Sequence, residues 1–201
     1  MTGLETPKMA PYSKVWNLPN MLTYGRIVAV PVVAGLLLWS GSTARWIALG
    51  IYVVAAITDF LDGYLARKWQ QQSSLGRMLD PIADKVLVAV VLLVLCADDI
   101  LRGGHIWAAI IILSREVLVS GLREYLGELQ VSVPVTQIAK WKTTVQLVAI
   151  GFLIAGPAGD ALFPSLPVVT TVGIAMLWVA AGLTLYTGYD YFRAGIRHVV
   201  D

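Results

Sequence analysis

Cysteine and histidine are nearly missing from this 201-residue chain, which has one cysteine, Cys96, and two histidines, His105 and His198. A lone cysteine excludes an intramolecular disulfide and a thiolate zinc cluster. Cys96 falls in an apolar run, where it reads as lipid-facing or as core filler, and both histidines read as surface residues. Charge is scarce as well. Asp, Glu, Lys and Arg make up 14% of the residues and leave a net charge of +2, too little, and too interrupted by apolar runs, to imply a nucleic-acid partner. Long linkers are also lacking. No stretch between apolar runs exceeds about a dozen residues, and none repeats another in the manner of a transporter, so 1–201 reads as a single domain. Residues 1–18 carry Lys8 and Lys14 but no short apolar core followed by a small-residue cleavage site. They read as a short interfacial helix along a membrane surface and not as a removed signal peptide.

What the chain has in abundance is apolar surface. At 57% hydrophobic residues and a mean hydropathy of +0.72, it carries more than a soluble domain of this size could bury. Runs of about 20 apolar residues are what a helix needs to cross a bilayer. Six occur, at roughly Asn20 to Ser40, Arg45 to Arg67, Leu79 to Ala97, His105 to Leu126, Val135 to Ala155 and Pro167 to Phe192. The expected fold is therefore all-α: a polytopic membrane protein with six transmembrane helices. Short turns are expected at 17–20, 40–42, 98–99 and 156–159. Twelve of the 15 Lys and Arg residues fall on one side if the amino terminus is inside (Lys8, Lys14, Arg26, Arg67, Lys68, Arg77, Lys85, Arg123, Lys140, Lys142, Arg193 and Arg197), against Arg45 and Arg102 on the other, with Arg115 at membrane depth. Positively charged loops stay in the cytoplasm. Both termini and the polar turn between the second and third spans are thus expected on the cytoplasmic side of the inner membrane.

That turn holds the densest chemistry. From Thr58 the chain runs T-D-F-L-D-G-Y-L-A-R-K-W-Q-Q-Q-S-S-L-G-R-M-L-D-P-I-A-D-K, with Asp59 and Asp62 three apart and Asp80 and Asp84 four apart. Each spacing puts a pair on one helix face, so two adjacent antiparallel helices could aim four carboxylates into one space. Four such charges repel unless cations hold them. Oxygen-only ligands favour Mg²⁺ or Mn²⁺ over zinc, and two such ions would suit phosphoryl transfer. Gly63, Ala66 and Gly76 would let phosphates approach the backbone, and Arg67 is a planar donor suited to a diphosphate.

The pattern Asp59-x-x-Asp62-Gly63-x-x-Ala66-Arg67, eight residues, Gly76-x-x-x-Asp80-x-x-x-Asp84 resembles, position for position, the signature of the CDP-alcohol phosphotransferase family. Asn17-Leu18-Pro19-Asn20-Met21-Leu22-Thr23 with Arg26, Ser114-Arg115-Glu116 with Leu122-Arg123-Glu124, and Ala139-Lys140-Trp141-Lys142-Thr143-Thr144 look like the branch that uses glycerol 3-phosphate. The resemblance implies that Asp59, Asp62 and Asp80 hold a metal pair. Asp84 would help hold it and act as general base, and Gly63, Arg67 and Ser73 would contact the CDP part of CDP-diacylglycerol. It implies attack by the primary hydroxyl of sn-glycerol 3-phosphate with release of CMP, and a homodimer in the lipid.

Arg115, Lys140, Lys142 and Arg123 are costly in or near lipid unless paired or facing a polar cavity. Their surplus over Glu116 and Glu124 suggests a phosphate on the acceptor, with Arg115 and Lys140 foremost and Arg26 as a further candidate. Relatives that make cardiolipin or use inositol phosphate remain open on these residues. So does a cation-coupled transporter that uses the aspartates as an ion site. Asp98 and Asp99 read as solvating an outer turn. Arg123, Glu124 and Glu128 read equally as spaced ion pairs at a helix end, and Lys85 as snorkelling to the interface. Trp16, Trp39, Trp46, Trp69 and Trp107 read as an aromatic belt. Pro81 is expected in the first turn of the third span, where its missing donor costs little.

Overall fold

The computed structural model describes residues 18–39, 41–69, 74–131, 137–163 and 166–200, with the side chains of 18–19, 60–69, 74–77, 194 and 196–200 outside that description. The expected interfacial helix at 1–18 lies, apart from Leu18, outside the described residues. Among the described residues six long helices follow, α1 (Leu18–Leu38), α2 (Ser42–Trp69), α3 (Ser74–Ala97), α4 (Ile106–Glu128), α5 (Gln137–Asp160) and α6 (Val168–Val200), with a 3-10 turn at Gly103–His105. Helices are the natural outcome in lipid, where no water satisfies a free backbone N–H or C=O. Among the described residues, stretches of α1, α5 and α6, and of α4 with the turn before it, have the length and composition of a membrane span. α2 and α3 are as long, at 28 and 24 residues. Arg45 and Asp59 in one, and Asp80, Asp84 and Lys85 in the other, keep their described parts from the composition of a plain apolar span. The protein is thus an all-α, multi-pass membrane protein.

Apolar side chains divide into two populations. Val33, Leu92, Leu95, Ile112, Ile150, Leu153 and Leu177 are buried between helices. Val28, Leu38, Val54, Leu93, Val117, Leu118 and Val179 are exposed, as lipid-facing residues must be. Trp39, Trp46 and Trp107 are exposed too, while Trp16 and the Trp69 side chain lie outside the description. α5 packs most extensively on α6, α1 lies against both α2 and α3, α4 lies on α6, and α2 lies on α5. Lipid is as apolar as the helix faces, so close fit and buried polar bonds hold such a bundle together.

Three local expectations are corrected at this level. The turn expected at 156–159 is a kink inside α5: Gly156 takes φ 32° and ψ −117°, Pro157 follows, and the helix runs on to Asp160. Proline removes one helical donor and glycine accepts the positive φ, but the chain beyond resumes its bonds, Ala161 N–H donating to Pro157 O at 3.2 Å. Asp98 does more than solvate a turn. It forms an ion pair with Arg45 of α2, and Arg45 Nη1 also donates to Ile154 O at 3.3 Å. Arg45 is 9% exposed, so its charge needs such partners. Pro81 lies in the second turn of α3 and not the first, because the helix begins at Ser74. Asp160 then receives the start of α6, accepting from Val169 N–H at 2.7 Å and Thr170 N–H at 3.1 Å, as a capping carboxylate does.

Candidate active site

Asp59 sits on α2, and Asp80 and Asp84 sit one turn apart on α3. α1 packs against both helices and presents Asn20, Thr23 and Arg26 at intervals of three, hence on one face. These three are 3%, 1% and 2% exposed, so a polar stripe of α1 is turned inward. Thr23 Oγ1 donates to Asp80 Oδ1 at 2.5 Å, and Arg26 Nη1 stands 2.6 Å from Asp59 Oδ1. Arg26, expected as an acceptor-phosphate ligand, is therefore placed beside an aspartate. Asp84 lies within electrostatic reach of Asp59 and Arg26, and also of Glu116 on α4.

The Asp62, Gly63, Ala66, Arg67 and Gly76 side-chain positions, and Ser73 entirely, lie outside the described residues. Among the described residues there is no group of three His, Cys, Asp or Glu side chains placed to hold a metal. The donor set of Asp59, Asp80 and Asp84 is nonetheless all oxygen, with Asp59 and Asp84 close enough to repel. That chemistry fits a hard divalent ion.

A second cluster gathers on α4, α5 and α6. Lys142 is 3% exposed and forms an ion pair with Glu116. An ammonium taken so far from water costs several kcal/mol unless paired, and Glu116 supplies that pairing. Arg115 Nη2 donates to Thr187 Oγ1 at 3.2 Å, its Nη1 stands 3.8 Å from Glu116 Oε1, and its Nε is buried without a hydrogen-bond partner among the described residues. Lys142 is in electrostatic reach of both Arg115 and Asp84, which joins this cluster to the aspartates. Gln146, one turn from Lys142 on α5, is also 3% exposed, and its Oε1 has no partner among the described residues.

The other sequence candidates lie at the margins of these clusters, Arg123 in electrostatic reach of Arg115 and Lys85 of Asp84. Lys140 is exposed. Arg123 is exposed, its guanidinium 5.6 Å from the centre of the Tyr191 ring. Lys85 Nζ turns back to donate to Pro81 O at 3.2 Å. Thr23, Thr187 and Gln146 were missed by sequence reasoning. The available signal was helical spacing: Thr23 is three residues from Arg26, and Gln146 four from Lys142.

Between α2 and α5 lies an apolar cavity of about 750 Å³, open to the side and lined by Trp46, Tyr52, Ile57, Thr144, Val148 and Phe152 among others. Ile57 lies two residues before Asp59 but on a different face of α2, whereas Tyr52 of the lining is within electrostatic reach of Asp84.

Comparison with known proteins matches residues 16–186 to the family described as CDP-alcohol phosphatidyltransferase. A Cereibacter sphaeroides protein named CDP-diacylglycerol–glycerol-3-phosphate 3-phosphatidyltransferase is 40% identical over 217 residues, covering 92% of this chain and 98% of its own. A Rickettsia typhi protein of the same name is 46% identical over 178 residues, covering 89% and 96%. A rice protein named cardiolipin synthase (CMP-forming) is 38% identical over 195 residues, covering 91% of this chain and 58% of its own.

Proposed function

The chain belongs to the CDP-alcohol phosphatidyltransferase family, and from that premise we propose that it transfers the phosphatidyl group of CDP-diacylglycerol to sn-glycerol 3-phosphate, giving phosphatidylglycerophosphate and CMP. The meeting of two groups of opposite charge carries this reading. Glu116 forms an ion pair with Lys142 of the basic cluster and lies within electrostatic reach of Asp84 of the acidic one, so a proton acceptor and an anion site adjoin.

In the reaction, the primary hydroxyl oxygen of the acceptor bonds to the lipid-side phosphorus, the bond from that phosphorus to the CMP oxygen breaks, and the hydroxyl proton passes to Asp84. A positioned carboxylate acting as base contributes roughly 10²–10⁴-fold. Asp59, Asp62, Asp80 and Asp84 would hold one or two Mg²⁺ or Mn²⁺ ions. Such ions, when bound, offset the charge of the diphosphate and of departing CMP. Thr23 holds Asp80 in place, and Arg26 offsets Asp59. Gly63, Ala66, Arg67, Ser73 and Gly76 take the CDP moiety, as their places in the sequence motif imply. Arg115 and Lys142 take the phosphate of the acceptor. The cavity beside Ile57 has the size and apolar lining for acyl chain.

The Lys and Arg distribution supports six spans with both termini and the active site on the cytoplasmic side of the inner membrane. The amino-terminal segment would lie along the surface, the chain would work as one domain, and two copies would pair in the lipid. Family membership favours this chemistry over a cation-coupled transporter.

The test is CMP release from CDP-diacylglycerol by purified protein in Mg²⁺ with a panel of acceptors. Glycerol 3-phosphate is expected to accelerate release, while phosphatidylglycerol, inositol phosphate and buffer do not. Acceleration by phosphatidylglycerol instead would move the chain to cardiolipin formation, and CMP release indifferent to every acceptor would end the proposal.

A further inference from the structure

α6 reads in the sequence as a packing helix, almost wholly apolar until Asp190 and Arg193. One of its faces is different. Thr184, Thr187, Gly188, Tyr191 and Gly195 recur at helical spacing, and α6 packs there on α4. Thr187 Oγ1 donates within its own helix to Leu183 O at 2.9 Å. That bond fixes the hydroxyl and leaves it free to accept from α4, where Arg115 Nη2 donates to it at 3.2 Å. The next residue removes an obstacle. A Cβ on Gly188 would stand 2.9 Å from Arg115 Cγ and 3.4 Å from its Nε, so the arginine stem lies directly on the α6 backbone. Cγ is near the root of the side chain, and the stem cannot yield there without swinging the whole guanidinium.

We propose that Thr187 and Gly188 are positioning residues that aim Arg115 at a phosphate-bearing acceptor, so that α6 sets acceptor specificity. The inference rests on the reading that Arg115 takes the acceptor phosphate. With Nη2 held by Thr187 and Glu116 drawing on the Nη1 side, the guanidinium plane is set and its buried Nε is left without a partner among the described residues. A buried donor without a partner is unfavourable, and an anionic oxygen arriving at that edge removes the deficit. The planar fork gains most from an anion when its orientation is set beforehand. Thr187 and Gly188 touch neither substrate nor metal in this scheme; they act through Arg115.

The test is a separation of Michaelis constants. Gly188→Ala is expected to raise KM for glycerol 3-phosphate about tenfold, the equivalent of ~1.4 kcal/mol, while KM for CDP-diacylglycerol stays within about twofold. Thr187→Val is expected to shift in the same direction and Thr187→Ser, which keeps the hydroxyl, to restore the original value. In an Arg115→Ala background, adding Gly188→Ala is expected to change nothing more, because the two act as one unit. Equal rises in both Michaelis constants, or a full additional effect in the Arg115→Ala background, would overturn the positioning role. If Arg115→Ala raises KM for glycerol 3-phosphate but neither α6 residue does, the inference alone falls. An unchanged KM in Arg115→Ala removes the reading beneath it. Should Gly188→Ala fail to fold, the Thr187→Val and Thr187→Ser pair decides the matter.

Discussion

The two halves of the candidate site solve the same problem in opposite ways. On α1 to α3, carboxylates of one sign are gathered, and the structure offers them Arg26 and the Thr23 hydroxyl. On α4 to α6, cations are gathered around the carboxylate of Glu116, with Thr187 as a neutral partner. Among the described residues the first cluster is short of positive charge and the second short of negative charge. Buried charge without compensation is expensive, so each half is suited to a ligand of opposite sign: divalent cation on one side, phosphate on the other. Glu116, paired with Lys142 and in electrostatic reach of Asp84, marks where the two halves meet.

The largest effect should come from starving the acidic half. Chelating divalent ions is expected to reduce CMP release to background, with recovery on adding Mg²⁺ or Mn²⁺ but not Zn²⁺, as an all-oxygen donor set implies. Activity that persists in chelator would break the contrast at its root. Asp84→Asn keeps the shape but loses the base, and turnover is expected to fall roughly 10²–10⁴-fold, while binding of CDP-diacylglycerol, followed by equilibrium dialysis, survives. In the basic half, Lys142→Ala leaves the half-buried Glu116 beside fewer cations. It is expected to lower kcat/KM for glycerol 3-phosphate by about 10–100-fold, whereas Lys140→Ala, at an exposed position, changes it by less than about threefold. Equal effects of the two lysines would dissolve the distinction between buried and exposed cations. The smallest effect is expected from Thr23→Val. Losing one hydrogen bond to Asp80 should raise the Mg²⁺ concentration for half-maximal activity by about three- to tenfold, with the saturated rate little changed.

The acidic half was the more legible of the two because its information is local. Asp59, Asp62, Asp80 and Asp84 fall within 26 consecutive residues, and helical spacing alone puts each pair on one face. The basic half draws on Arg115, Glu116, Lys142, Thr187 and Gly188, spread over three helices. Sequence reasoning found its cations from the cost of charge in lipid, yet it put exposed Lys140 ahead of buried Lys142, two positions away. Helix faces are about 100° apart per residue, so the distinction depends on which side of α5 meets α4. Arg26 was found as a cation but not its partner Asp59, 33 positions along the chain. The kink at Gly156 reads locally as a turn because Gly and Pro mark both. The structure has both a break and a continuation: Gly156 itself is non-helical, one more helical turn follows to Asp160, and the Ile154 carbonyl before the break accepts from Arg45.

Composition and spacing by themselves determined that the chain is helical, that it lives in lipid, and that four aspartates fall within 26 consecutive residues on either side of one polar turn, because each depends on residue type and on periods of three or four. Tertiary structure alone decided which partner answers each buried charge: Arg26 with Asp59, Arg45 with Asp98, Lys142 with Glu116, Arg115 with Thr187. Those pairings join residues 26 to 72 positions apart, a separation at which no helical period carries a signal and only the packing of one helix on another sets the distance.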